Sequence, residues 1–156
     1  MPVKSIPEHY HSVTPYLSIK GANEAIEFYK RAFDAVEQFR MPTPGGEIGH
    51  AELQIGDSRI MMSDPCGESP IPSPDTLGGS SIGLHLYVED VDKIFAQAVN
   101  AGATELKPVE NQFYGDRMGT LKDPFGHIWF LSTHVEDLTP EEIGRRAEAL
   151  FNPDNG

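Results

Sequence analysis

Residues 13–33 read VTPYLSIKGANEAIEFYKRAF, and residues 82–101 read IGLHLYVEDVDKIFAQAVNA, one plan in two wordings. Each opens with period-two alternation, the mark of a half-buried strand. Val13, Pro15, Leu17 and Ile19 face away from Thr14, Tyr16 and Ser18, and Ile82, Leu84, Leu86 and Val88 face away from Gly83, His85 and Tyr87. Each then changes to helical spacing. The apolar positions are Ala22, Ala25, Ile26, Phe28, Tyr29, Ala32 and Phe33 in the first copy. In the second they are Val91, Ile94, Phe95, Ala98 and Val99, closed by Gly102 as a C-cap. Ile19 and Val88, the ends of the two first strands, lie 69 residues apart; Ile60 and Ile128, the starts of the two last strands, lie 68 apart. A shift near 70 seen at both landmarks means a duplicated unit rather than a solenoid.

Working outward, AVEQFRM (35–41) reads as a second strand, and Pro42-Thr43-Pro44-Gly45-Gly46 as a turn. In EIGHAELQI (47–55), Ala51, Leu53 and Ile55 oppose His50, Glu52 and Gln54, and Gly56-Asp57 turns the chain into SRIMMSD. There Met61 and Met62 face opposite ways, one into the core and one towards a pocket. In the second copy ATELKPVE is a short strand, and RMGTLKD and GHIWFLSTH form a hairpin around Asp123-Pro124-Phe125-Gly126. The predicted class is α+β: two tandem βαβββ modules forming a curved mixed sheet around a cavity, plus a C-terminal helix. The expected organisation is one domain over 1–156, with module one at 11–64, a linker or flap at 65–80, module two at 81–134 and the last helix at 138–151. That helix has Asp137 or Thr139 as N-cap and Pro140 at its first position. Its apolar residues Ile143, Ala147, Leu150 and Phe151 need a surface to pack on.

The formal net charge of −12 repels phosphate backbones and anionic lipid, so neither nucleic acid nor membrane is an expected partner. One cysteine, Cys66, permits no internal disulfide, and no apolar run approaches a membrane span. A cytoplasmic protein is expected.

The paired βαβββ units, AIEFYKRAF and DPFGHIWFLSTH resemble the vicinal oxygen chelate (glyoxalase/bleomycin-resistance/dioxygenase) superfamily. GHAELQIGDSRIMMSD, FYGDRMGTLKDPFGH and THVEDLTPEEIGRR resemble its PhnB-like branch. The resemblance implies a cavity between modules, often completed by a second subunit. In metal-dependent members it implies four inward ligands, which fall here on Thr14, Glu52, Gly83 and Phe130. Only Glu52 can ligate, so ordinary glyoxalase I activity is not expected.

Strand alternation leaves Tyr16, His50, Glu52, Gln54, His85 and Tyr87 facing the concavity. Tyr114, Phe130 and Arg117 are further ligand-binding candidates, Arg117 as a rim clamp for a carboxylate or phosphate or else paired with Asp116 or Asp123. His85 with Glu52 is the candidate catalytic pair, a carboxylate orienting an imidazole base. His50, Glu52 and His85 form the possible divalent-metal set, and no cofactor is otherwise predicted. Two function classes follow: a small-molecule binding homodimer, or a metal-dependent or histidine-based lyase, isomerase or dioxygenase-type enzyme.

Overall fold

The computed structural model describes residues 2–67, 69–152 and 154. Its elements are β1 (Tyr16–Ser18), α1 (Ala22–Phe33), β2 (Val36–Pro42), β3 (Ile48–Ile55), β4 (Ser58–Ser63), α2 (Pro74–Leu77), β5 (Gly83–Tyr87), α3 (Val91–Ala101), β6 (Thr104–Asn111), β7 (Asp116–Lys122), β8 (Ile128–His134) and α4 (Pro140–Phe151). They form two four-stranded mixed sheets of identical order, β1-β4-β3-β2 and β5-β8-β7-β6, each with one parallel pair.

The alternation read from the sequence holds in β3. Ala51, Leu53 and Ile55 are buried, while His50, Glu52 and Gln54 are half-buried on the other face. Met41 pairs with His50 but Pro42 pairs with Ile48, so Gly49 is an extra residue. This bulge explains why Ile48 returns to the core out of phase with its neighbours. Met62 is buried and Met61 half-buried, as their opposite faces require.

Helices α1 and α3 cover the apolar sheet faces and pack on each other. Gln97 of α3 donates to the Arg31 and Ala32 carbonyls at 2.9 and 3.1 Å, satisfying the end of α1. The core continues across the modules. Asp123, 2% exposed, accepts hydrogen bonds from the Tyr29 hydroxyl (2.6 Å), the Trp129 indole (2.9 Å) and the backbone N–H of Phe125 and His127. A buried carboxylate is tolerated when its lone pairs are filled in this way. Burial first, then Asp123, drives the Tyr29 hydroxyl well above its ordinary pKa.

The expected flap at 65–80 is more ordered than its proline and glycine content suggests. It contains the single turn α2, buries Ser73 and Pro74, and closes against Gly126; Glu68 lies outside the described residues. α4 begins as read, with Thr139 accepting from the Glu142 N–H at 3.2 Å. None of its residues is fully buried, and Leu150 and Phe151 are 59% and 70% exposed, with Phe151 meeting Phe113 edge-on. Among the described residues no helix is long and apolar enough to cross a membrane.

Candidate functional site

Cross-strand pairing puts side chains in rows on the sheet faces that α1 and α3 leave uncovered. In module one the row is Tyr16, Met61, Glu52 and Phe39; in module two it is His85, Phe130, Thr120 and Lys107. The two rows occupy equivalent places in the duplicated unit. One carries a carboxylate at its centre and the other a buried threonine whose hydroxyl finds no partner among the described residues.

Around Glu52 the side chains interlock. Tyr10, from the segment before β1, donates its hydroxyl to Glu52. His50 lies 3.7 Å from the same carboxyl group and bonds the Tyr16 hydroxyl through Nδ1 at 3.0 Å. Phe39 flanks the His50 ring at 6.2 Å. Gln54 is bonded by Arg59 Nε, and the Arg59 guanidinium sits 5.5 Å from the centre of the Tyr10 ring.

In module two His85 stacks on Tyr87 at 4.7 Å and bonds the Ser132 hydroxyl through Nε2 at 2.8 Å. Tyr87 donates to Asp116 at 2.7 Å, and His134 bonds the other Asp116 oxygen at 2.8 Å and Asp137 at 2.8 Å. Burial alone would raise the Asp116 pKa, but the hydrogen bonds from His134 and Tyr87 outweigh it and hold the carboxyl below its usual value. The same contacts, Asp116 first and then Asp137, raise His134, and the bond to Asp116 raises Tyr87. Tyr114, raised by burial and by Asp116, donates to the Met118 sulfur at 3.4 Å. The ring of Phe130 leans over Gly83, where an added Cβ would lie 2.3 Å from Phe130 Cε2.

The sequence candidates therefore fall into two groups. Tyr16, His50, Glu52 and Gln54 come together in module one; His85, Tyr87, Phe130 and Tyr114 come together in module two. His85 does not join His50 and Glu52, and no three His, Cys, Asp or Glu side chains gather as a metal site among the described residues. Arg117 needs correction. It is not a free rim residue and pairs with neither Asp116 nor Asp123. It lies within β7, in phase with Gly119 and Leu121 on the helix-covered face, where it forks onto Asp92 at 2.8 and 2.9 Å. Tyr10, Phe39, Arg59 and Asp116 were not singled out as site residues. The parity of β4 and β7 places Arg59 and Asp116, but nothing in the irregular stretch 2–15 announces Tyr10.

The glyoxalase/bleomycin resistance protein/dioxygenase superfamily model matches residues 10–131. An uncharacterised protein of Mycobacterium tuberculosis is 43% identical over 136 residues, covering 85% of this chain and 79% of that protein. Among solved structures, the PhnB protein of Bacillus cereus aligns with TM-score 0.61 at 21% identity, covering 79% of this chain and 99% of that one. The fosfomycin resistance protein FosX of Listeria monocytogenes, solved with Mn(II) and sulfate, aligns with TM-score 0.59 at 19% identity, covering 88% and 97%. At those identities the two structures speak for the fold alone. With the family model spanning most of a chain whose paired modules have this topology, the chain belongs to the glyoxalase/bleomycin resistance protein/dioxygenase superfamily.

Proposed function

We propose that the protein is a cytoplasmic homodimer that binds a small organic molecule on the strand faces left uncovered by α1 and α3, without the four-ligand metal centre of its metal-dependent relatives. The observation that carries this reading is the ring of Phe130 over Gly83. Two of the four ligand positions implied by the family are filled by one hydrocarbon ring, and a side chain at 83 would collide with it. A third position falls at Thr14, and the carboxylate at the fourth, Glu52, is engaged by Tyr10 and His50. This donor set does not suit a divalent ion.

What the faces offer instead is apolar and aromatic surface with a few fixed polar atoms, the usual make-up of a small-molecule site. Phe39 and Met41 are about half exposed beside Tyr16, His50 and Glu52. A second copy would close this surface and supply packing for Leu150 and Phe151. Histidine-based catalysis by His85 with Glu52 is less well supported, because Ser132 rather than a carboxylate orients the His85 ring.

Nuclear magnetic resonance with a set of neutral aromatic fragments tests the reading. Shifts are expected at Tyr16, His50, Glu52, Tyr87 and Phe130, and shifts confined to the helix-covered faces would overturn it. A monomeric mass by light scattering removes the homodimer. A stoichiometric divalent ion retained through purification and abolished by Glu52→Gln removes the metal-free claim.

A further inference from the structure

The segment before β1, the β3–β4 hairpin and the β5 edge share the walls of a cavity of about 190 Å³. Its polar lining residues are His11, Thr14, Ser58, Arg59 and His85. Its apolar wall includes Ile60, Leu84, Leu86 and Trp129. Arg59 has an unusual standing here. Among the described residues the ion pairs of lysine and arginine use Lys20, Lys30, Arg40, Arg117, Arg145 and Arg146. Among the described residues Arg59 has no carboxylate partner, although the chain holds twice as many acidic as basic residues. The other unpaired arginine and lysines are exposed, whereas Arg59 is half-buried. Its Nε is taken by Gln54 and its face by Tyr10, which leaves the terminal N–H groups of the fork for another acceptor.

We infer that this seam cavity takes the carboxylate of a small organic acid, with Arg59 as its anion-binding residue and His11, Thr14 and His85 as supporting polar groups. A half-buried guanidinium without a counter-charge is costly to desolvate, and a carboxylate offers the planar pair of acceptors that its fork matches. His85 Nε2 is committed to Ser132, so its Nδ1 remains for the ligand. The apolar wall asks for a hydrocarbon body behind the acid. The volume, below the roughly 300–1,000 Å³ of sites for drug-sized ligands, limits that body to about one ring or a short chain. The inference rests on the reading that the chain binds small molecules, and it names their chemical class.

Trp129, the chain's single tryptophan, lines the cavity and reports its occupancy by fluorescence. The probes are benzoate, its uncharged analogue benzamide, and inorganic phosphate, titrated into the full chain. Benzoate is expected to change Trp129 emission saturably, and benzamide to need at least tenfold higher concentration. Arg59→Gln should weaken benzoate at least tenfold and leave benzamide unchanged, with Arg59→Lys, which keeps the charge and loses the fork, falling between. Circular dichroism establishes that both variants are folded. Benzamide binding as well as benzoate, an unchanged benzoate affinity in folded Arg59→Gln, or silence to all three probes overturns the inference. Phosphate matching benzoate assigns the cavity to inorganic anions and overturns it too. In each case neutral fragments that still shift Glu52 and Tyr16 leave the broader binding reading standing.

Discussion

Gly83 has no side chain, so the question at that position is what an added atom would meet, and the answer is Phe130. Gly83→Ala is expected to destabilise the protein by about 1–3 kcal/mol, the usual range for overfilling a packed site. In a Phe130→Ala background the sign should reverse, because a strand glycine is otherwise worse than alanine by about 0.5–1 kcal/mol. A double-mutant cycle by urea unfolding measures the coupling, and additive effects would mean that the ring does not occupy that space. The Asp116–His134 pair sets a second test. His134 is raised in the folded state, so its contribution is complete below its unfolded value of about 6.5 and fades as pH rises through the elevated folded value. Asp116 is lowered, so its contribution is complete above about 3.9 and is lost as pH falls through the depressed folded value. The pair is therefore fully formed between about pH 4 and 6.5. Titration of the His134 ring by nuclear magnetic resonance should give a midpoint above 6.5 that drops in Asp116→Asn.

At the scale of elements, the duplication is visible in how the helices are capped. Gly21, at φ 88°, offers α1 no side-chain cap. The N–H of Gly21 and Ala22 instead donate to Asp64 Oδ1 at 2.8 and 3.3 Å, and Ile48 N–H donates to Oδ2 at 2.7 Å. In module two Val91 N–H donates to Thr133 Oγ1 at 2.9 Å, and Thr133 donates on to the Val88 carbonyl. Ala22 to Val91 and Asp64 to Thr133 are both steps of 69 residues, the repeat read from the strands. Asp64→Ala removes a charged acceptor from two N–H groups at a helix N-terminus and one at the start of β3, and should cost about 3 kcal/mol or more. Thr133→Val removes a neutral cap and should cost about 1 kcal/mol. Urea midpoints decide the order, and equal costs would deny Asp64 its role. The strands and helices were legible because alternation and helical spacing act over neighbours in sequence, although β1 spans only Tyr16–Ser18 of the 13–19 stretch that alternates. These caps were not, because Asp64 lies 42 residues from Ala22 and closes a contact that only the folded β4 creates. Arg117 shows the middle case. Its phase with Gly119 and Leu121 is visible in RMGTLKD, but treating YGDRMG as loop hides it, since β7 begins at Asp116.

For the whole molecule the question is whether two modules of one plan fold as two bodies or as one. α1 belongs to module one by sequence, yet its Tyr29 bonds Asp123, and Phe33 packs on Trp129 at a ring separation of 4.6 Å. Phe28 meets Phe125 edge-on, and Gln97 of module two completes the last turn of α1. Fragment 1–64 by itself would leave Phe28, Tyr29 and Phe33 against water, and such burial is worth about 1.5–3 kcal/mol for a large side chain. That loss is comparable to the net stability of an ordinary small domain. One cooperative transition is therefore expected. Trp129 fluorescence, which reports module two, and far-ultraviolet circular dichroism, which reports both modules, should give the same denaturant midpoint. Asp123→Ala strands the Tyr29 hydroxyl and the Trp129 indole, each an unsatisfied buried donor worth about 1–3 kcal/mol. It should move both signals together to a lower midpoint. A circular dichroism signal that keeps its midpoint while fluorescence shifts would mean that each module is stable alone. The packing of Tyr29 and Phe33 on Asp123 and Trp129 would then be a contact between two bodies rather than the middle of one.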